Sequence, residues 1–283
     1  MSGTAIVVTS GKGGVGKTTA AANIGAGLAM SGPTVALVDA DIGLRNLDLV
    51  LGLENRIVYD LVNVVEGGCD VQKALIRHKH IENLSLLPAA QSRDKTAVTP
   101  EQMKALTLGL KESFDFVILD CPAGIEQGFK NAIAGADRAI VVTTPEMSAS
   151  LTADISGVVT PEMSAVRDAD RIIGMLEAEE VKDPWLIVNR IRPDMVKRHD
   201  MMNVDDLIDF LKVELLGVVP DDESIIISTN RGIPAVMDEK SRAGRAFLDI
   251  ASRIMGNDVP IAATLEPDDW FSRFAKWLGI SRG

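Results

Sequence analysis

The chain has 283 residues, of which 46% are apolar, and a formal net charge of -11, so it can bury a core in one large α/β domain, while its acidity excludes broad, salt-dependent nucleic-acid binding. Its two cysteines, Cys69 and Cys121, stand far apart, which excludes a disulfide framework and a CxxC metal or redox motif. Neither a basic-then-apolar leader nor a run of about 18 apolar residues occurs, and the expectation is a soluble protein of a reducing cytoplasm.

Thr4 to Thr9 is consecutively apolar at Ile6-Val7-Val8, as a strand buried on both faces requires. Gly11-Lys12-Gly13-Gly14-Val15-Gly16-Lys17-Thr18 follows and satisfies GxxxxGK[ST] between a strand and a helix-patterned stretch, the context of a P-loop. Its glycines let backbone N–H groups curl around phosphates at a helix N-terminus. Lys17 is expected to neutralise the β/γ oxygens, Thr18 to ligate Mg²⁺ and Thr19 to reach the α-phosphate. Thr34 to Asp39 is a second strand, closed by Asp39 with Asp41 just beyond, and Leu84 to Leu87 a third. Phe116 to Asp120 places one carboxylate after four apolar residues, the Walker B pattern that holds Mg²⁺ through water. Ala139 to Thr143, Trp185 to Asn189 and Leu215 to Val219 complete seven strands. Alternating with helix-patterned stretches, they predict an α/β P-loop NTPase: a mostly parallel, doubly wound sheet with helices on both faces and ligands beyond the carboxyl ends of the strands.

Cys121 has no histidine nearby to activate it and is expected to be a packed small side chain; His78, His80 and His199 are expected on the surface. Val142-Thr-Thr-Pro-Glu-Met-Ser-Ala149 is echoed by Val158-Val-Thr-Pro-Glu-Met-Ser-Ala165, 16 residues on, a local tandem duplication. The organisation predicted is an ATPase domain over 1–255, a linker over 256–267 containing Pro260 and Pro267, and a C-terminal helix over 268–283. In that tail Trp270, Phe271, Phe274, Trp277 and Leu278 fall at i, i+1, i+4, i+7 and i+8. They share one helical face, with Arg273, Lys276 and Arg282 available to anionic headgroups. The tail is therefore expected to target a membrane, weakly as one copy and strongly when two tails are joined.

Lys12 is a second lysine inside the loop, giving Lys-Gly-Gly-Val-Gly-Lys-Thr-Thr, and on these residues the chain resembles the deviant Walker A family, which includes ParA, the nitrogenase iron protein and MinD. The resemblance implies a P-loop NTPase of the SIMIBI type, in which Lys12 reaches phosphate across a dimer interface, in the manner of an arginine finger. It implies further that Asp41 orients the attacking water, so that Lys12, Lys17 and Asp41 form the catalytic set, and that Asp39 supports the Mg²⁺ shell beside Thr18 and Asp120. Asn189-Arg190, after the sixth predicted strand, are implied to read adenine, with Pro220-Asp221-Asp222-Glu223 as the opposing loop. Cys121-Pro-Ala-Gly-Ile-Glu126 matches the second switch, where family members more often begin with Ser.

The chain is similar to the MinD branch in particular over Asp39 to Asp48, Tyr59 to Val65, Leu86 to Asp94, Asp120 to Glu126, Val166 to Arg171 and Ser228 to Gly232. This implies a cytoplasmic ATPase that uses ATP and Mg²⁺ and forms a homodimer with ATP. It also implies binding to the anionic inner face of the membrane, recruitment of a MinC-like division inhibitor and release by a MinE-like or substitute activator, with no specific nucleic acid. Asn46, Glu126, Ser164 and Asp168 would lie on the dimer or partner surface. The alternative is a positioning ATPase for flagella or for chromosome or plasmid cargo; an iron–sulfur carrier is weakened by the missing CxxC. The duplication departs from the family. Deleting 150–165 would restore its usual run, so Ser148 and Ser164 compete for one position, and the continuation Val166-Arg-Asp-Ala-Asp favours Ser164. The inserted loop is expected to spare the fold and to impair coupling to the activator.

Overall fold

The computed structural model describes residues 2–145, 164–181 and 183–261. Most of the duplicated segment, with Ser148, and the whole 268–283 tail lie outside the described residues.

Eight strands form one sheet: β1 (Thr4–Thr9), β2 (Val35–Asp39), β3 (Ile76–Arg77), β4 (Leu84–Leu87), β5 (Phe116–Asp120), β6 (Arg138–Thr143), β7 (Trp185–Ile191) and β8 (Glu214–Pro220). Their order is β3-β4-β2-β5-β1-β6-β7-β8, and every pairing is parallel except β3 with β4. The helices are α1 (Lys17–Met30), α2 (Leu47–Val50), α3 (Leu61–Val65), α4 (Val71–Ala74), α5 (Pro100–Lys111), α6 (Gln127–Ile133), α7 (Ser164–Ala178), α8 (Pro193–Lys197), α9 (Val204–Leu211), α10 (Glu223–Arg231) and α11 (Arg242–Ile254). The doubly wound, mostly parallel sheet expected from the alternation is the observed fold.

Because side chains alternate along a strand, each central strand feeds two cores. Ala5, Val7, Val117, Leu119, Ala139 and Val141 meet Met103, Phe129 and Ile172 of α5, α6 and α7. Ile6, Val8, Leu37, Ile118 and Ile140 meet Ile24, Leu28, Phe247 and Ile250 of α1 and α11. Close packing of α1 depends on glycine: a Cβ at Gly25 would stand 2.8 Å from Leu37 Cδ2, and one at Gly27 3.1 Å from Ala251 Cβ. The register β1–β5–β2 sets Val8 beside Asp120 and Asp120 beside Asp39, so the acidic strand ends converge where β1 runs into the P-loop.

Three sequence expectations change. The two-residue β3 forms only by antiparallel pairing of Ile76 with Leu86 and Arg77 with Ser85, too short a segment to carry a periodic signal. His78, beside it, is 7% exposed rather than on the surface. Its Nδ1 accepts the N–H groups of His80 and Ile81 at 3.3 and 3.2 Å. Finally, 256–261 is held to the domain. The Arg253 guanidinium donates to the carbonyls of Leu216, Val259 and Pro260 at 2.9, 2.7 and 2.7 Å, and Ile261 packs against the core.

Candidate nucleotide site

The loop between β1 and α1 turns through two left-handed glycines, Gly14 at φ +82° and Gly16 at φ +94°, a conformation that costs other residues strain. No side chain caps Gly16, and the first turn of α1 holds no acidic residue. The helix therefore presents bare N–H groups and its positive dipole end to an anion. Lys17 is buried at the base of the loop, with Nζ donating to Asp120 Oδ1 at 2.9 Å. Burial works against its charge, but the Asp120 carboxylate outweighs it and holds the ammonium above its ordinary pKa. Lys12 is exposed at the mouth of the same loop, beside exposed Gly13 and Gly14.

Asp39, Asp41 and Asp120 are all buried, at 1%, 8% and 1% exposure, with Lys17 as the buried ammonium among them. Burial pushes the Asp39 carboxyl up to about 7, and neighbouring Asp120 pushes the same way. Burial likewise raises Asp120, against the pull of Lys17. This surplus of acid is a suitable place for a divalent cation. Asp120 Oδ2 is buried without a hydrogen bond in good geometry, and the nearby Thr18 hydroxyl acts to lower the Asp120 pKa. Among the described residues no cluster of three or more His, Cys, Asp or Glu side chains forms a metal cage. The buried Asp120 Oδ2 beside the Thr18 hydroxyl fits Mg²⁺, an ion that keeps several waters and shares itself with phosphate oxygens. Both oxygens of Asp39, expected in the Mg²⁺ shell, accept backbone N–H groups.

The 121–126 segment, expected to be the second switch, lies against the end of β1 and the P-loop, with Cys121 N–H on the Val8 carbonyl at 3.1 Å and Gly124 N–H on the Ser10 carbonyl at 3.4 Å. Cys121 is wholly buried, and burial pushes its thiol up to about 12, so it packs as an inert side chain. Asn46 and Glu126 are exposed, and Ser164 and Asp168 half-buried. Ser164 opens α7 beside the end of β6, where Thr143 Oγ1 donates to the Ala165 carbonyl at 3.1 Å. Helix α7 touches the P-loop, since a Cβ at Gly11 would lie 2.3 Å from the Asp168 carbonyl oxygen.

The predicted base-reading residues border a cleft of about 1250 Å³ lined by Gly16, Asn189, Arg190, Pro220, Asp222 and Arg242 among others. Asn189 lies inside β7 rather than after it. The strand continues to Ile191 through a register shift, with Arg190 at φ +57°. The bulge sends the Asn189 amide to the P-loop, where Nδ2 donates to the Val15 carbonyl at 2.7 Å. Asp222 does not extend into the cleft as a free carboxylate. It caps α10 through Ser224 N–H at 2.9 Å and holds α11 through Ala243 N–H at 3.0 Å. Burial acts to raise its pKa, but these donors outweigh it and bring it below the usual carboxylate range. Arg242 and Ile225, on helices remote in sequence from the P-loop, also line the cleft, and no motif marks them.

Fold and site together define a P-loop nucleotide-binding protein with a deviant Walker A loop. The chain belongs to the family described as the CobQ/CobB/MinD/ParA nucleotide binding domain, whose model matches residues 6–235, and within it to the MinD branch. It is 56% identical over 261 residues to the septum site-determining protein MinD of Bacillus subtilis (strain 168), covering 92% of this chain and 91% of that one. The MinC:MinD cell division protein complex of Aquifex aeolicus contains a chain 45% identical, with a TM-score of 0.81, covering 92% of this chain and 98% of that one. MinD from Pyrococcus horikoshii OT3, complexed with Mg-ADP, is 28% identical with a TM-score of 0.76, covering 90% and 99% of the respective chains.

Proposed function

We propose that the protein is an ATP-hydrolysing switch that pairs with a second copy when ATP-bound, attaches to the inner face of the cytoplasmic membrane and positions the division site by recruiting a MinC-like inhibitor. The observation that carries the reading is the division of labour between two lysines of one loop. Lys17 is buried on Asp120 at 2.9 Å, where it serves the nucleotide of its own chain, whereas Lys12 is exposed at the mouth of the loop, where it can serve a neighbour's. The similarity to septum site-determining MinD proteins, one solved with Mg-ADP and one with MinC, supports the nucleotide, the metal and the class of partner. Mg²⁺ would be held by Thr18 and Asp120 and would neutralise charge on the phosphates. Asp41, buried beside this pair, is the residue assigned to orient the attacking water. Membrane attachment rests on the sequence pattern of the tail from Trp270 to Leu278.

The test combines two variants with two assays. Lys12→Ala should bind ATP nearly as the parent does, yet fail to pair on size exclusion and fail to hydrolyse; ATP-dependent pairing by this variant would overturn the assignment. The parent should sediment with anionic liposomes far more with ATP than with ADP, the two tails of a pair gaining about 10²–10⁴ in avidity. Trp277→Glu should stay in the supernatant with either nucleotide while still pairing. Equal sedimentation in ATP and ADP would exclude the gating.

A further inference from the structure

The turn between β2 and α2 carries Asp41, Leu44 and Asn46, and it is wound around one carboxylate. Asp39 closes β2 at 1% exposure. Its Oδ1 accepts the Asp41 N–H at 3.0 Å, and its Oδ2 accepts the N–H groups of Asn46 and Leu47 at 3.2 and 3.1 Å. Four more amides of the turn go to the scaffold or to the turn itself. Ala40 donates to the Asp120 carbonyl at 3.0 Å, Gly43 to the Ala90 carbonyl at 2.8 Å, and Leu44 and Arg45 to the Asp41 carbonyl at 3.2 and 3.3 Å. Arg45 sits at φ +45°, a conformation that persists in a non-glycine residue only where its surroundings enforce it. Leu44 projects at 60% exposure from the tip, while Leu47 at the base is fully buried.

Hydrogen bonds to an ionised acceptor are the strong ones, and here they arrive from both ends of the turn. With two donors on Oδ2 and one on Oδ1, most of the acceptor capacity of the carboxylate is taken by the chain's own backbone. We infer that Asp39 is a positioning residue, which holds the 40–47 turn closed and so aims Asp41, rather than a member of the Mg²⁺ shell. This rests on the reading of Asp41 as the residue that orients the attacking water. The same carboxylate ties the exposed tip at Leu44 and Asn46 to Asp41, so any contact that pulls on the tip acts on the hydrolytic residue.

The test uses the full chain with Asp39→Asn, which keeps the volume and one acceptor oxygen, and Asp39→Ala, which keeps neither. Four quantities are read: hydrogen–deuterium exchange of the Asp41, Asn46 and Leu47 amides, trypsin cleavage after Arg45, the Mg²⁺ dependence of ATP binding, and single-turnover hydrolysis. Exchange and cleavage should rise about tenfold or more in Asp39→Ala, as expected for amides stripped of charge-assisted bonds, and less in Asp39→Asn. Hydrolysis should fall in the same order, with the Mg²⁺ concentration for half-maximal ATP binding changed by no more than about twofold. A tenfold rise in that concentration with exchange unchanged would make Asp39 a metal-shell residue and overturn the inference, and so would a loosened turn that hydrolyses at the parent rate. Asp41→Ala runs in parallel. If it hydrolyses normally, the assignment of Asp41 fails, while the exchange data still decide whether Asp39 holds the turn.

Discussion

Replacing Lys17 by methionine, which matches its length without its charge, should separate the structural role of this lysine from its role in binding. Lys17 Nζ lies 2.9 Å from Asp120 Oδ1, and the two side chains are only 8% and 1% exposed. Removing the cation leaves Asp120 buried beside Asp39, its register partner across β2 and β5, with Asp41 close enough to push the same way. Breaking a buried pair from one side costs about 3–5 kcal/mol, a large share of a domain stability of ~5–15 kcal/mol. For a chain of this size that corresponds to roughly 5–8 °C in Tm. Adding Asp120→Asn removes the stranded charge, so the double variant should recover most of the lost stability and still bind no ATP. Thermal and urea unfolding of the parent, both single variants and the double variant give the coupling through a double-mutant cycle. ATP binding is measured alongside by fluorescence or calorimetry. A Lys17→Met protein within about 1 kcal/mol of the parent, or a double variant no more stable than Lys17→Met, would show that the pair does not hold the site together.

Two further outcomes follow from particular contacts. Burial first, then the neighbouring His80 and Lys79, push His78 down to about 4, below the ordinary 6.5 of the unfolded chain. Its neutral form therefore contributes stability that is complete above pH ~6.5 and is lost as pH falls from there toward ~4. The loss is about 2 kcal/mol once solvent screening is allowed for. His78→Asn should remove that loss, so urea unfolding of parent and variant should converge by about this amount between pH ~7.5 and ~4.5, and parallel pH profiles would refute the assignment. Gly11→Ala would bring a Cβ to 2.3 Å from the Asp168 carbonyl oxygen and 2.5 Å from its carbon. Backbone cannot rotate away, so the P-loop and α7 must part, at about 1–3 kcal/mol of overpacking. ATP affinity should fall about tenfold or more, and undiminished affinity in a calorimetric titration would show that the contact does not constrain the loop.

The sequence by itself determined the sheet, the P-loop, the acidic strand ends and the inert character of Cys121. These are written in local patterns: consecutive apolar residues for strands buried on both faces, glycines where phosphate must approach backbone, and one carboxylate closing an apolar run. Tertiary structure alone decided what depends on partners distant along the chain. β3 is a strand only because Leu86 and Ser85 lie opposite Ile76 and Arg77. The bulge at Arg190 aims Asn189 at Val15, 174 residues earlier, and Asp222 spans from α10 to Ala243 at the start of α11. The segment 256–261 is fixed by the Arg253 guanidinium, which also reaches the Leu216 carbonyl 37 residues earlier. A charged or polar side chain carries no periodicity that names its acceptor. Which backbone group it satisfies is settled when the chain packs and every buried donor and acceptor must find a partner.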